Sequence, residues 1–207
     1  MQIFAAGWDY FVKGGIVMYP LLCCSLYAIA IGFERYLFYK KFDNGKQFTK
    51  QLCNLLEQGD WQQAKNLTDD TQGEIAKLAT VVMSKYEKHE LLESFVTEKA
   101  ERTLDKFENN LSSLGVIVTL SPVLGLLGTI TGMISSFNNL NNRFDNPLAV
   151  TAGVSEALIT TVFGLSVSII AICLHTYFTR RLKNISLNIE EMSNALLEAI
   201  MKKTRQN

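Results

Sequence analysis

Glu156 is the sole charged residue between Asp145 and Arg180, in a stretch otherwise apolar enough to cross a membrane. A carboxylate there is expensive: at the bilayer centre the penalty starts at about 2.5–3.5 kcal/mol. Chains keep such a group where it faces a bundle interior or a water-filled path. Its neighbours have matching chemistry. Ser155 precedes it, and Thr160, Thr161 and Gly164 follow at one- and two-turn spacing. A threonine hydroxyl both donates and accepts hydrogen bonds, so it can hold a water chain or orient a carboxyl group. Glu156, Thr160 and Thr161 are therefore candidates for lining a bundle interior or a water-filled path rather than for covalent catalysis.

A second segment supplies a partner face. Residues 121–136 contain Ser121, Pro122, Gly125, Gly128, Thr129, Thr131, Gly132, Ser135 and Ser136. Gly125, Gly128, Thr129 and Gly132 recur every three or four residues and share one helix face, with Gly128 and Gly132 forming a GxxxG pair. In lipid, small residues on one face let two helices approach closely, and hydroxyls bond across the gap. Gly153, Ala157, Thr160, Thr161, Gly164, Ser168 and Ala171 form a similar strip on the Glu156 segment. For the glycines alone, including Gly164, helix packing is sufficient reason. Glycines, threonines and one carboxylate together read as a narrow, partly polar path. The opposite side of the first strip carries Leu124, Leu127, Ile130 and Ile134, which suits lipid or another subunit.

Three helices must position these residues. Residues 14–33, 109–142 and 157–179 carry no charge, and about 20 apolar residues span a bilayer as a helix. Strands without partners leave their backbone unsatisfied in lipid. The expected fold is all-α: an integral membrane protein with three transmembrane helices, the second and third extending into the cytoplasm. The spans are read at 13–39, 109–138 and 151–179. Of the 20 Lys and Arg residues, Lys13 and Arg143 alone lie on the side of the N-terminus and the 139–150 loop. Basic clusters at span ends mark the cytoplasm, which puts 40–108 and 180–207 inside and the N-terminus outside. Residues 1–12, with Trp8 and Tyr10, suit an outer interfacial segment. Lys13 gives too weak a basic n-region for a cleaved signal peptide.

The cytoplasmic stretch is polar and helix-favouring. Gly59 fits a helix end, Asp60 the next N-cap, and a second break falls near Thr68 to Gly73. From about Ser84 no Gly or Pro interrupts the chain before Gly115. Ala100, Leu104, Phe107, Leu111 and Leu114 alternate at spacings of four and three. This predicts one helix running from Lys85 to Phe137, about 80 Å long. In the tail, Leu182, Ile185, Ile189, Met192, Leu196 and Ile200 form an apolar stripe, which needs a partner and is expected to pack on that rod.

Several functions are excluded. Balanced charge, 20 basic against 20 acidic residues, argues against nucleic acid as a partner. The glycines lie inside a membrane helix with no GK[ST] and no preceding strand, so there is no nucleotide loop. No nucleophile–His–acid set exists, so no catalytic residue is assigned and no enzyme is expected. His89 falls in a charged cytoplasmic segment and His175 near the inner end of the third span. Cys23, Cys24, Cys53 and Cys173 have no metal-ligand spacing and are read as free thiols. No metal or cofactor is expected.

Three segments carry a resemblance. Pro20-Leu21-Leu22-Cys23-Cys24-Ser25 followed by Glu34-Arg35, then the run Pro122 to Met133 with its GLLGT, then Ser155 to Leu165 with its EALITT, are similar to the MotA/TolQ/ExbB proton-channel family. The order, spacing and three spans resemble the ExbB/TolQ branch over nearly the whole chain; MotA-type stators usually have four spans. The resemblance implies a homopentamer in a bacterial inner membrane. It would surround two copies of a single-span ExbD- or TolR-like partner whose membrane aspartate takes up and releases the proton. Thr129 and Thr161 match the family's pore threonines, and Glu156 its membrane glutamate. Proton flow would turn the partner and drive a TonB- or TolA-like protein. The chain departs from the pattern at Ile170, where the family often has proline, and at His175-Thr176, where Tyr-Asn is common. A missing proline removes a kink and would alter the inner mouth. Competing readings are a non-conducting scaffold that stabilises a partner and a stator for gliding or flagellar motility. A secondary transporter is disfavoured, because no repeat with paired broken helices is visible.

Overall fold

The computed structural model describes residues 14–43, 45–86, 93–142 and 147–206. The expected interfacial segment 1–12, together with Lys13, His89 and Arg143, lies outside the described residues. Among those described, the chain forms seven α-helices and no strand: α1 (Met18–Phe42), α2 (Gly45–Glu57), α3 (Trp61–Asp70), α4 (Glu74–Tyr86), α5 (Glu93–Glu108), α6 (Leu111–Asn142) and α7 (Pro147–Gln206). Three stretches are long and apolar enough to cross a membrane: Met18–Glu57, Leu111–Asn138 and Gly153–Thr204. The protein is an all-α membrane protein. It divides into two compact units, Met1–Phe33 with Asn110–Thr176, and Glu34–Asn109 with Tyr177–Asn207.

The first unit holds the start of α1, all of α6 and the first half of α7. Pro20 sits in the first turn of α1, where its missing N–H matters least. Tyr19 and Leu21 on either side bond to the carbonyls of Ile16 and Val17. Val17, Met18 and Leu21 are buried and pack with Leu124 of α6 and Phe163 of α7. Further along, Gly32 faces Leu174: a Cβ there would sit 2.9 Å from a Leu174 methyl. The outer face of α6 leaves Val116, Val123, Leu126, Ile130 and Ile134 exposed in a single chain.

The second unit has local signals that match its breaks. Gly59 adopts φ 76° after α2, the left-handed region open to glycine. The Asp60 carboxylate then accepts from the Gln63 amide at 3.1 Å and caps α3. The tail stripe finds its cover within this unit: Ile185, Ile189, Met192, Leu196 and Ile200 are all buried. Full burial of each stabilises by about 1.5–3 kcal/mol. Phe178 lies 5.6 Å from Tyr39, Arg181 pairs with Asp43 at 3.1 Å, and Lys203 lies over the Trp61 ring at 4.5 Å. These place α7 against the end of α1 and against α3.

The expected single helix from Lys85 to Phe137 is not what forms. α4 ends at Tyr86, α5 ends at Glu108, and Asn109–Asn110 make a turn before α6. Asn110 has φ 64°, a conformation that asparagine tolerates better than most residues. Its carbonyl then receives the Leu114 amide at 3.2 Å and opens α6. What holds the end of α5 is a cap from α1. The Arg35 guanidinium donates to the Lys106 carbonyl at 3.0 Å and the Phe107 carbonyl at 3.5 Å. The Tyr39 hydroxyl donates to the Phe107 carbonyl at 2.9 Å. A cation at the carbonyl end of a helix also meets the negative end of its dipole. Arg35 is 2% exposed, so its loss strands buried carbonyls. Arg35→Met is expected to destabilise this unit by about 2–3 kcal/mol, read as a lowered thermal midpoint in detergent; an unchanged midpoint would remove Arg35 from the account.

Glu74 ties α4 to α5. Its carboxylate accepts from Lys106 at 2.5 Å and Lys77 at 3.1 Å. Burial pushes its pKa up, but the hydrogen bonds and charges of Lys106 and Lys77 outweigh this and hold it below the ordinary 4.5. A depressed pKa means the stabilisation is present above the unfolded value and is lost as pH falls through the folded one. Stability should therefore be flat with respect to this group above about pH 5 and decline below 4.5. Glu74→Gln should lessen that acid dependence in pH-resolved melting curves; an identical slope in both proteins would contradict it.

Candidate functional site

The glycine strips of α6 and α7 meet, and backbone touches backbone. A Cβ on Gly125 would lie 3.2 Å from the Thr161 Cα and 3.4 Å from the Gly164 Cα. One on Gly164 would lie 2.6 Å from the Ser121 carbonyl oxygen and 3.0 Å from the Gly125 Cα. A Cβ on Gly128 would strike the Thr160 methyl, and one on Gly132 would come within 2.9 Å of the Ala157 methyl. Gly125, Gly128 and Gly132 are thus seats for α7, and Gly164 is a seat for α6, as small residues between membrane helices should be. At the far end of the strip, a Cβ on Gly153 would strike the Ser136 hydroxyl.

The threonines differ in what they bond. The Thr161 hydroxyl crosses the interface and donates to the Gly125 carbonyl at 3.0 Å. It is half-buried. Its donor is engaged, so its lone pairs remain available to accept a proton-bearing group. Thr160 is 1% exposed, seated on Gly128, and its hydroxyl donates to the Gly14 carbonyl at 2.9 Å. It therefore joins α7 to the segment that precedes α1. Thr129, also half-buried, donates to the Leu126 carbonyl of its own helix at 2.7 Å, the back-bonding usual for a helical threonine. Glu156 lies on α7, four residues before Thr160; its side chain lies outside the described residues.

Pro122 stands inside α6, and Ser121 beside it is fully buried, its hydroxyl without a hydrogen-bond partner among the described residues. The Ser168 hydroxyl donates across to the Val118 carbonyl at 2.7 Å. The sequence placed Ser168 on the strip but offered no acceptor for it. His175 is half-buried, with Nε2 at 3.4 Å from where a Gly115 Cβ would stand. It fills space that Gly115 leaves open at one end of the helix pair. In the other unit, Cys53 is a free, buried thiol.

Among the described side chains of the first unit, which holds the α6–α7 contact, there is no Lys, Arg, Asp or Glu. With Glu156, the helix pair offers one carboxylate, oriented hydroxyls and closely packed backbone. It can position a protonated group, with the His175 imidazole at one end of the pair and no second carboxylate among its described side chains in this unit.

The profile of the MotA/TolQ/ExbB proton channel family matches residues 66–191. The chain is 31% identical over 172 residues to an ExbB-like biopolymer transport protein of Synechocystis sp. (ExbB-like 1), covering 79% of this chain and 67% of that one. It is 34% identical over 179 residues to a second from the same organism (ExbB-like 3), covering 76% of this chain and 78% of the other. A Tol-Pal system protein TolQ of Pseudomonas aeruginosa is 37% identical over 81 residues, covering 39% of this chain and 35% of the TolQ.

Proposed function

The chain belongs to the MotA/TolQ/ExbB proton channel family, on its ExbB/TolQ branch, and from that premise we propose that it is the conducting subunit of a proton-driven motor. Five copies would surround two single-span ExbD- or TolR-like partners in a bacterial inner membrane, with the N-terminus periplasmic and the C-terminus cytoplasmic. The partner's membrane aspartate would carry the proton. The captured energy would pass through a TonB- or TolA-like protein to outer-membrane transport or another envelope process. No enzymatic step is part of this reading.

The observation that carries it is the Thr161 hydroxyl. It is held by the Gly125 carbonyl at 3.0 Å, about one turn from Glu156, which bears the one carboxylate between Pro147 and Thr176 in α7. With its own proton committed, Thr161 accepts preferentially. A neutral, protonated aspartic acid would be welcomed there, whereas an ionised aspartate would find no donor in that hydroxyl. Such a site discriminates between the two protonation states of a passing carboxyl group, which a proton-driven rotor requires. Thr129 and Glu156 are assigned to the same path, and Thr160 to its support.

One observation favours the scaffold alternative. Thr129, Thr160 and Thr161 each donate to a carbonyl of the same chain, as packing residues do. The two readings share a pentamer but differ in the partner's role. Co-expression with a single-span ExbD- or TolR-like protein from the same genome, followed by native mass spectrometry, is expected to give five copies with two, and the partner's span should carry an aspartate. A complex whose partner has no acidic residue in its span would leave the scaffold reading standing.

A further inference from the structure

Proline inside a helix removes one donor and leaves the carbonyl four residues earlier without its usual partner. In α6 that proline is Pro122, and the carbonyl is that of Val118. An orphaned backbone carbonyl among membrane helices is costly, since no water is at hand to satisfy it. The structure supplies a donor from 50 residues away: the Ser168 hydroxyl of α7, at 2.7 Å. The surroundings leave little slack. Ser121, the residue before the proline, is 0% exposed, and its own carbonyl lies 2.6 Å from where a Gly164 Cβ would stand. Gly164 is one turn before Ser168 on the same face of α7. The two contacts bracket the proline: Gly164 lets α7 rest on the Ser121 backbone, and Ser168 bonds to the carbonyl that Pro122 has freed.

We infer that Ser168 is a positioning residue that substitutes for the N–H missing at Pro122 and thereby fixes the register of α6 against α7. Its role in the motor rests on the proton-path reading above, because that register sets where Thr161 stands relative to α6. Its role as a substitute donor does not depend on that reading. The arrangement has a signature that ordinary packing lacks. Pro122→Ala restores an N–H to the Val118 carbonyl, so the need for the Ser168 hydroxyl should vanish with the proline.

The test is a double-mutant cycle on the full-length chain with its single-span partner, read by thermal midpoint and by proton flux into vesicles. Ser168→Ala alone is expected to lower the midpoint by about 3–6 °C, and Ser168→Thr, which keeps the hydroxyl, to restore it. In the Pro122→Ala background, Ser168→Ala should change the midpoint by less than about a third as much. Equal shifts in both backgrounds, or no shift in either, would overturn the substitution of donors. The flux arm separates the two levels. A severalfold loss with Ser168→Ala that Ser168→Thr restores supports the positioning role. Coupled midpoints with unchanged flux would keep the donor substitution and remove Ser168 from the proton path.

Discussion

Thr161→Val is expected to leave the protein folded and assembled while lowering proton-driven transport by about tenfold or more, equivalent to about 1.4 kcal/mol on the barrier. Valine matches threonine in shape, so the seat on Gly125 survives. The hydrogen bond lost, Thr161 hydroxyl to Gly125 carbonyl at 3.0 Å, is of the kind that contributes about 0.5–1.5 kcal/mol to stability. The Gly125 carbonyl keeps its place in the α6 ladder, so it is not fully orphaned. What valine cannot supply is the oriented pair of lone pairs. Thr161→Ser, which restores them on a smaller side chain, should recover most of the transport. The check is growth dependent on the energised process, alongside a detergent-solubilised assembly profile. Full transport by the valine variant would take Thr161 out of the path.

Gly164→Ala should have a larger effect on the fold itself. The added methyl would stand 2.6 Å from the Ser121 carbonyl oxygen and 3.0 Å from the Gly125 Cα. Both are backbone atoms of α6, so no side chain can rotate out of the way. The helices must separate, which loosens the Thr161 and Ser168 bonds together. Overpacking of this kind costs about 1–3 kcal/mol, and contact with backbone on both sides places Gly164 at the upper end. The contrast is Gly128→Ala, whose methyl would meet the Thr160 side chain. Paired with Thr160→Ser, which removes the opposing methyl, Gly128→Ala should be partly relieved, whereas no single side-chain truncation should relieve Gly164→Ala. Thermal midpoints of the variants test this. A Gly164→Ala protein as stable as the parent would mean that the two helices do not pack as described.

Much of this was visible in the sequence because membrane helices declare themselves through absence of charge and spacing of small residues. The seats at Gly125, Gly128, Gly132 and Gly164 follow from a three-and-four pattern that only close helix approach explains. Asp60 as a cap was equally legible, since its acceptor and donor are three residues apart. The turn at Asn110 was not. Asparagine is a weak breaker, no glycine or proline marks the position, and the seam from Ala100 to Leu114 runs straight through it. What ends α5 is Arg35, 71 residues away, a contact that periodicity cannot reveal. Thr160 and Ser168 lie on the expected strip, but their acceptors at Gly14 and Val118 are 146 and 50 residues distant. The spacing of residues shows which face a hydroxyl occupies. It does not show which carbonyl the hydroxyl will find there.

On the proposed reading, α6 and α7, with Thr161 and Glu156, form a proton path that works through a partner's acid. Its most direct test is proton flux into a pH-sensitive dye inside vesicles holding the chain alone, the chain with its single-span partner, and that complex carrying Thr161→Val or Glu156→Ala. Flux under a membrane potential is expected for the intact complex, with the two variants assembled but reduced to the level of empty vesicles. Assembled complexes that conduct equally with and without both substitutions, or an intact complex that does not conduct, would contradict it.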